Sequence, residues 1–154
     1  MFSHKMKKLI IGFIGDHNAG KTTAANILKK KGFFKASIND KVLEFAGHLF
    51  SDSELNRPDR NLILNRVRRR GCDQCKEYWL NLILITVPDD KNFIVFDDLS
   101  LDEASSKNIS VYHIYRPGIS AIQLSEYQTI MNDGSLKDFA SKIDDLYKKI
   151  TGRS

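Results

Sequence analysis

Gly15-Asp16-His17-Asn18-Ala19-Gly20-Lys21-Thr22 (GDHNAGKT) is the stretch from which the rest of the chain is read. It satisfies G-x-x-x-x-G-K-[ST]. Before it stands Lys8-Leu9-Ile10-Ile11-Gly12-Phe13-Ile14, apolar and of strand length. After it, Thr23 to Lys31 carries Ala24, Ile27 and Leu28 at helical spacing. Strand, glycine loop and helix in that order form the setting in which such a loop cradles phosphate. Gly15 and Gly20 let the backbone approach an anion where a side chain would clash. The amides of Gly15 and of Asn18, Ala19, Gly20, Lys21, Thr22 and Thr23, at the loop and helix N-terminus, present partial positive charge. Lys21 has the reach for the outer phosphates, and the Thr22 hydroxyl suits Mg²⁺. These choices imply a nucleoside triphosphate as ligand.

Phe93-Ile94-Val95-Phe96-Asp97-Asp98 is the next most informative stretch. Its consecutive apolar residues predict a strand buried on both faces, as in a parallel sheet. In phosphate-loop proteins a carboxylate at such a strand end orders Mg²⁺; Asp97 is the first candidate and Asp98 the second. Further strands are expected at Phe33–Ile38, Ile109–Tyr115 and Tyr127–Met131. Helices are expected from an Asn39 or Asp40 cap to Leu49, over Asp59–Arg70 up to a break at Gly71, and over Gln74–Val87. Two more are expected, a short one over Leu101–Lys107 and an amphipathic one over Ser135–Ile150, while Ser51–Pro58 reads as a loop. This order predicts a three-layer α/β/α sandwich, the P-loop NTPase fold, around a parallel sheet of about five strands. Ligands in such sheets lie outside the strand carboxyl ends, where Gly15–Thr22, Asp97 and Arg116 all fall.

The 154 residues are 42% apolar and 28% charged, an ordinary globular balance, and are expected to form one domain with residues 1–6 as a flexible basic lead-in. No apolar run reaches bilayer length and no signal pattern opens the sequence, so a cytoplasmic setting without a membrane partner is expected. The net charge of +5 suits anionic substrates and also nucleic acid. Basic residues cluster at Lys29–Lys31 and Arg66–Arg70. Cys72 and Cys75 form a C-x-x-C without the further ligands zinc needs, so two reduced thiols are expected.

With those elements placed, the chain resembles the P-loop nucleoside monophosphate kinases, most closely the deoxynucleoside monophosphate kinases of tailed bacteriophages. The resemblance rests on His113-Ile114-Tyr115-Arg116-Pro117-Gly118, on Asn132-Asp133-Gly134-Ser135-Leu136 followed by Phe139–Ile143, on the spacing of Asp97 and Glu103, and on Tyr78-Trp79. It implies transfer of the γ-phosphoryl group of ATP, with Mg²⁺, to a (deoxy)nucleoside 5′-monophosphate in the cytoplasm, a phage's host cytoplasm if the chain is phage-encoded. Lys21 would hold the transferring phosphate, Thr22 and Asp97 would order the metal, and Arg116 would be a mobile cation. Asn132, Gly134 and Ser135 would lie against adenine. The chain departs from the family at Leu99, where an arginine is usual, and near Leu43, where the closest lysine is Lys41. Its acceptor-binding insertion is also short. Asp40, Lys41, Arg66, Arg69 and Arg70 are therefore the acceptor-side candidates, within a wider set that includes Arg57, Arg60 and Arg68. By helical spacing Arg66 shares a face with Arg69 and Arg70, while Arg68 points elsewhere. Two other readings stay open: a small-molecule kinase of the same fold, and an ATP-binding module whose arginines hold nucleic acid or a protein partner. Monomer and homodimer both remain compatible with the sequence.

Overall fold

The computed structural model describes residues 7–106, 108–121, 124 and 126–153. The expected lead-in, 1–6, and part of the Ile119–Glu126 connection lie outside them. Five strands, β1 (Leu9–Ile14), β2 (Phe34–Ala36), β3 (Phe93–Phe96), β4 (Ser110–Tyr115) and β5 (Gln128–Met131), form a sheet in the order β2-β3-β1-β4-β5. Every pairing is parallel, with Ile11 opposite Val95 on one side and Ser110 on the other. The helices are α1 (Lys21–Lys30), α2 (Ile38–Leu49), α3 (Asp52–Leu55), α4 (Arg60–Gln74), α5 (Tyr78–Leu84), α6 (Leu101–Ala104) and α7 (Leu136–Thr151).

Because strand side chains alternate, the central strands feed two cores. Ile11, Phe13, Val95, Tyr112 and Ile114 pack against Ala24, Ala25 and Leu28 of α1 and Phe139, Ile143 and Leu146 of α7. Ile10, Ile14, Ile94 and Phe96 pack against Val42 of α2 and Trp79, Leu80 and Ile83 of α5. The fold is thus the expected three-layer α/β/α arrangement. Gly12 leaves room on the second face: a Cβ there would lie 2.0 Å from Leu99 Cδ1. Leu99, where an arginine was expected by resemblance, is 5% exposed and belongs to this core.

Several boundaries differ from the expectation. Ser37, rather than Asn39 or Asp40, caps α2, its oxygen accepting from the Asp40 N–H at 3.3 Å. The reason is Asp98, whose carboxylate accepts from Ser37 Oγ and from the N–H groups of Ile38 and Asn39, fixing where the helix starts. Ser51 and Glu54 form a capping box, which makes a short helix, α3, inside the segment expected to be loop. Gly71 does not break its helix. It is buried within α4, where a Cβ would meet Trp79 Nε1 at 2.5 Å, so it is a packing glycine under an indole. The Trp79 N–H donates to the Arg68 carbonyl at 2.8 Å, locking α5 onto α4.

Candidate functional site

A cavity of about 860 Å³ opens at the carboxyl ends of β1, β3, β4 and β5. On one side it is walled by His17, Asn18, Gly20, Lys21, Thr22 and Thr23. Ser37, Asn39, Asp40, Asp97 and Asp98 also line it. Arg116, Ile119, Asn132, Gly134, Leu136 and Phe139 complete it.

The phosphate loop is held from beneath. Gly20 sits at φ +117°, and a Cβ there would come within 2.7 Å of Asn132 Nδ2, so both the turn and the close approach require glycine. Asn132 Nδ2 donates to the Ala19 carbonyl at 2.9 Å, and the Asn132 N–H to the Tyr115 carbonyl at 2.7 Å, tying the turn after β5 to the loop. With Gly20 as N-cap, no side chain caps α1, which leaves its first-turn N–H groups to an anion. Ala19 is fully buried, so its part in the site is confined to its backbone.

Lys21 Nζ donates to the Gly15 carbonyl at 2.7 Å. Burial lowers its pKa, against the opposing pull of Asp98 and Asp97. Thr22 Oγ1 donates to Asp97 Oδ2 at 3.3 Å, and Lys35 Nζ lies 3.6 Å from the same oxygen. Among the described residues, Asp97 Oδ1 is buried without a hydrogen-bond partner. Burial, and secondarily Asp98, push the Asp97 carboxyl pKa up, with Lys35 and Thr22 opposing. A hydroxyl beside a carboxylate with one unpartnered oxygen is a hard, oxygen-only donor set, which fits Mg²⁺. Asp98 is occupied by the α2 N-terminus, leaving Asp97 as the carboxylate turned toward Thr22.

Arg116 reaches over the loop, its Nη1 donating to the Asn18 carbonyl at 3.2 Å. Its own turn is seated by the Ala121 N–H, which donates to Asp16 Oδ2 at 2.8 Å, and by Ser120 Oγ, which accepts from the Arg116 N–H at 2.9 Å. Asp16 thus links phosphate loop to Arg116 loop, a role the motif pattern does not specify. Ser135 caps α7 with its side chain, in a capping box with Asp138, rather than lining the cavity.

The acceptor-side candidates separate. Asp40 lines the cavity, whereas Lys41 pairs with Glu44 at 3.4 Å. Arg66, Arg69 and Arg70 are exposed and do not line it. The arginine expected to point elsewhere, Arg68, is the one that reaches the wall. Its Nη1 donates to Asn39 Oδ1 at 2.7 Å, its Nη2 to the Asp98 carbonyl at 2.6 Å, and its Nε to Glu103 Oε2 at 3.3 Å. Nη2 also pairs with Glu103 Oε1. The register of α4 explains this: Leu64, Val67 and Cys72 turn toward the second core and carry Arg68 inward beside them. Glu103 is fully buried, and Arg68 is its counter-ion. Cys72 is half-buried and Cys75 exposed, both as free thiols, and no group of metal-ligating side chains occurs among the described residues.

No helix among the described residues is long and apolar enough to cross a membrane. No family model matches the sequence, and no curated protein matches it. Solved structures do. The Thermus thermophilus protein TT1252 superposes with a TM-score of 0.59 at 18% identity, covering 95% of this chain and 100% of that one. A dephospho-CoA kinase from Campylobacter jejuni superposes with a TM-score of 0.53 at 17% identity, covering 95% and 99%. The chain has the P-loop α/β fold that this dephospho-CoA kinase shares.

Proposed function

We propose that the protein transfers the γ-phosphoryl group of ATP to a small acceptor, and that the acceptor is a (deoxy)nucleoside 5′-monophosphate. The observation that carries the reading is convergence: Lys21 and Thr22 at the start of α1, Asp97 after β3 and Arg116 after β4 line one cavity, with Thr22 bonded to Asp97. A fold neighbour that is itself a dephospho-CoA kinase supports phosphoryl transfer. The narrower acceptor rests on the resemblance of Arg116-Pro117-Gly118 and Asn132–Ser135 to the monophosphate kinases.

Phosphoryl transfer to an oxygen that is already anionic needs little proton chemistry. It needs alignment and compensation of charge on the transferring group. In this cavity Lys21 would leave the Gly15 carbonyl for a phosphate oxygen, and the open N–H groups at the start of α1 would hold the adjoining phosphate. Arg116 would release Asn18 and add a second positive charge from above. Thr22 and Asp97 would hold Mg²⁺, which when bound neutralises oxygens of the two outer phosphates. Leu136 and Ile119, exposed and apolar at the mouth, offer a surface for a base.

The test is a coupled assay with Mg-ATP across the common NMPs and dNMPs, with dephospho-CoA added because of the fold neighbour. Turnover of one or more monophosphates is expected. Turnover confined to dephospho-CoA, or to another acceptor that is not a nucleoside monophosphate, would move the reading to a small-molecule kinase. Absence of turnover with every acceptor, in folded protein that binds ATP, would refute phosphoryl transfer.

A further inference from the structure

Among the side chains that line the cavity is one whose orientation is fixed by a neighbour outside the lining. Asn39 is the second residue of α2. Its backbone N–H donates to Asp98 Oδ2 at 2.8 Å, so the residue is pinned to the end of β3. Its side-chain oxygen lies 2.7 Å from Arg68 Nη1. A guanidinium carries only donors, so the amide atom facing it must be the oxygen. The amide nitrogen, with both its hydrogens, is then left for the cavity that Asn39 lines, and among the described residues it has no protein partner. Arg68 is itself immobilised by the buried Glu103 and the Asp98 carbonyl, so the amide cannot exchange its ends without breaking that contact.

The surroundings sharpen what such a donor would meet. Ser37 Oγ is engaged with Asp98, whose carboxylate is filled by the start of α2. Asp40, beside Asn39, is an acceptor only. Lys41 turns to Glu44, and Arg68 is held behind the wall. Asn39 therefore supplies neutral donors to the cavity that Lys21 and Arg116 also line.

We propose that Asn39 is the acceptor-recognition residue, with its amide N–H groups donating to an oxygen of the phosphate-receiving substrate, and that Arg68 is a positioning residue acting through it. The inference rests on the phosphoryl-transfer reading. The oxygen belongs either to the acceptor's phosphate or to a base carbonyl.

Asn39→Asp tests it in the full chain. The aspartate retains an oxygen for Arg68 and nearly the same shape, but replaces the donor nitrogen with an acceptor. Steady-state kinetics with dAMP, dCMP, dGMP and dTMP should show the acceptor KM rising about tenfold or more, the worth of a lost hydrogen bond in a polar site. The KM for ATP and the thermal midpoint should be unchanged. Asn39→Ala, which adds no charge, should shift the acceptor KM in the same direction. An equal rise across all four acceptors assigns the phosphate. A rise that spares dAMP, whose base has no carbonyl, assigns the base edge. Unchanged acceptor KM values in folded Asn39→Asp, or an equal rise in the KM for ATP, would overturn the proposal. If the wild-type protein turns over no acceptor, the phosphotransferase reading falls separately. Calorimetric binding of the same monophosphates to both proteins then decides Asn39, equal affinities counting against it.

Discussion

Replacing Arg68 with alanine should destabilise the protein more than any change at the exposed arginines around it. Glu103 is 0% exposed, and Arg68 donates to both of its carboxylate oxygens. Without the guanidinium, the remaining conventional donor among the described residues is the Ser100 N–H at 2.8 Å. Removing one partner of a buried ion pair costs about 3–5 kcal/mol. In a domain of this size that corresponds to a fall in melting temperature of roughly 6–20 °C. Glu103→Gln should be milder, about 1–2 kcal/mol. It keeps an oxygen for Ser100, and Arg68 remains 14% exposed and 3.8 Å from Asp98. The double variant decides the matter. A buried carboxamide is less costly than a buried unpaired carboxylate, so Arg68→Ala with Glu103→Gln should be more stable than Arg68→Ala alone. Urea unfolding with a common m-value measures all of these. A double variant no more stable than Arg68→Ala, or an Arg68→Ala loss below about 1 kcal/mol, would refute the assignment of buried-charge compensation to this pair.

Three further outcomes follow from the site. Lys21→Ala should lower turnover about 10²–10³-fold with the fold intact. Because burial lowers the Lys21 pKa in the free protein, wild-type kcat/KM for ATP should fall as pH rises through a value below that of free lysine. Asp97→Asn should abolish Mg²⁺-dependent turnover yet raise the nucleotide-free melting temperature at neutral pH. Its carboxyl binds a proton more tightly folded than unfolded, so ionisation weakens the fold as pH rises from the ordinary carboxylate range through the raised value, and the asparagine removes that loss. Asp16→Ala should reduce turnover about tenfold by unseating the Arg116 loop. Asp16→Asn, which keeps an oxygen for the Ala121 N–H, should recover it, and Asp16→Ala should add nothing in an Arg116→Ala background.

The sheet and its phosphate loop were readable because local signals agreed. Leu9–Ile14 and Phe93–Phe96 are apolar on both faces, and the glycines bracket a strand-to-helix turn. That Lys21, Thr22, Asp97 and Arg116 meet at one cavity was legible too, since they are contiguous or stand at strand ends. Which of the acceptor-side candidates would reach the cavity was harder to read, because that geometry depends on long-range contacts. Gly71 reads locally as a helix breaker, and only the indole of Trp79 above it explains a glycine inside α4. Spacing along α4 shows which arginines share a face with one another, but not which face meets the sheet. A signal for Arg68 did exist. Ser100 and Glu103 form a capping box at the edge of an apolar segment, and a glutamate buried in that way calls for a cation from elsewhere.

The contact between Lys21 and the Gly15 carbonyl changes how affinity should be counted. On the phosphoryl-transfer reading the ammonium would leave one oxygen to reach another, so phosphate binding at this lysine would be an exchange of partners rather than the filling of an empty valence. The net gain is the difference between two charge-assisted hydrogen bonds, smaller than the ~1.5–3 kcal/mol that one such bond contributes alone. Arg116 would make the same trade from Asn18. Two cations that exchange partners in this way would add little to ground-state affinity, and their advantage would grow as negative charge gathers on the group in flight.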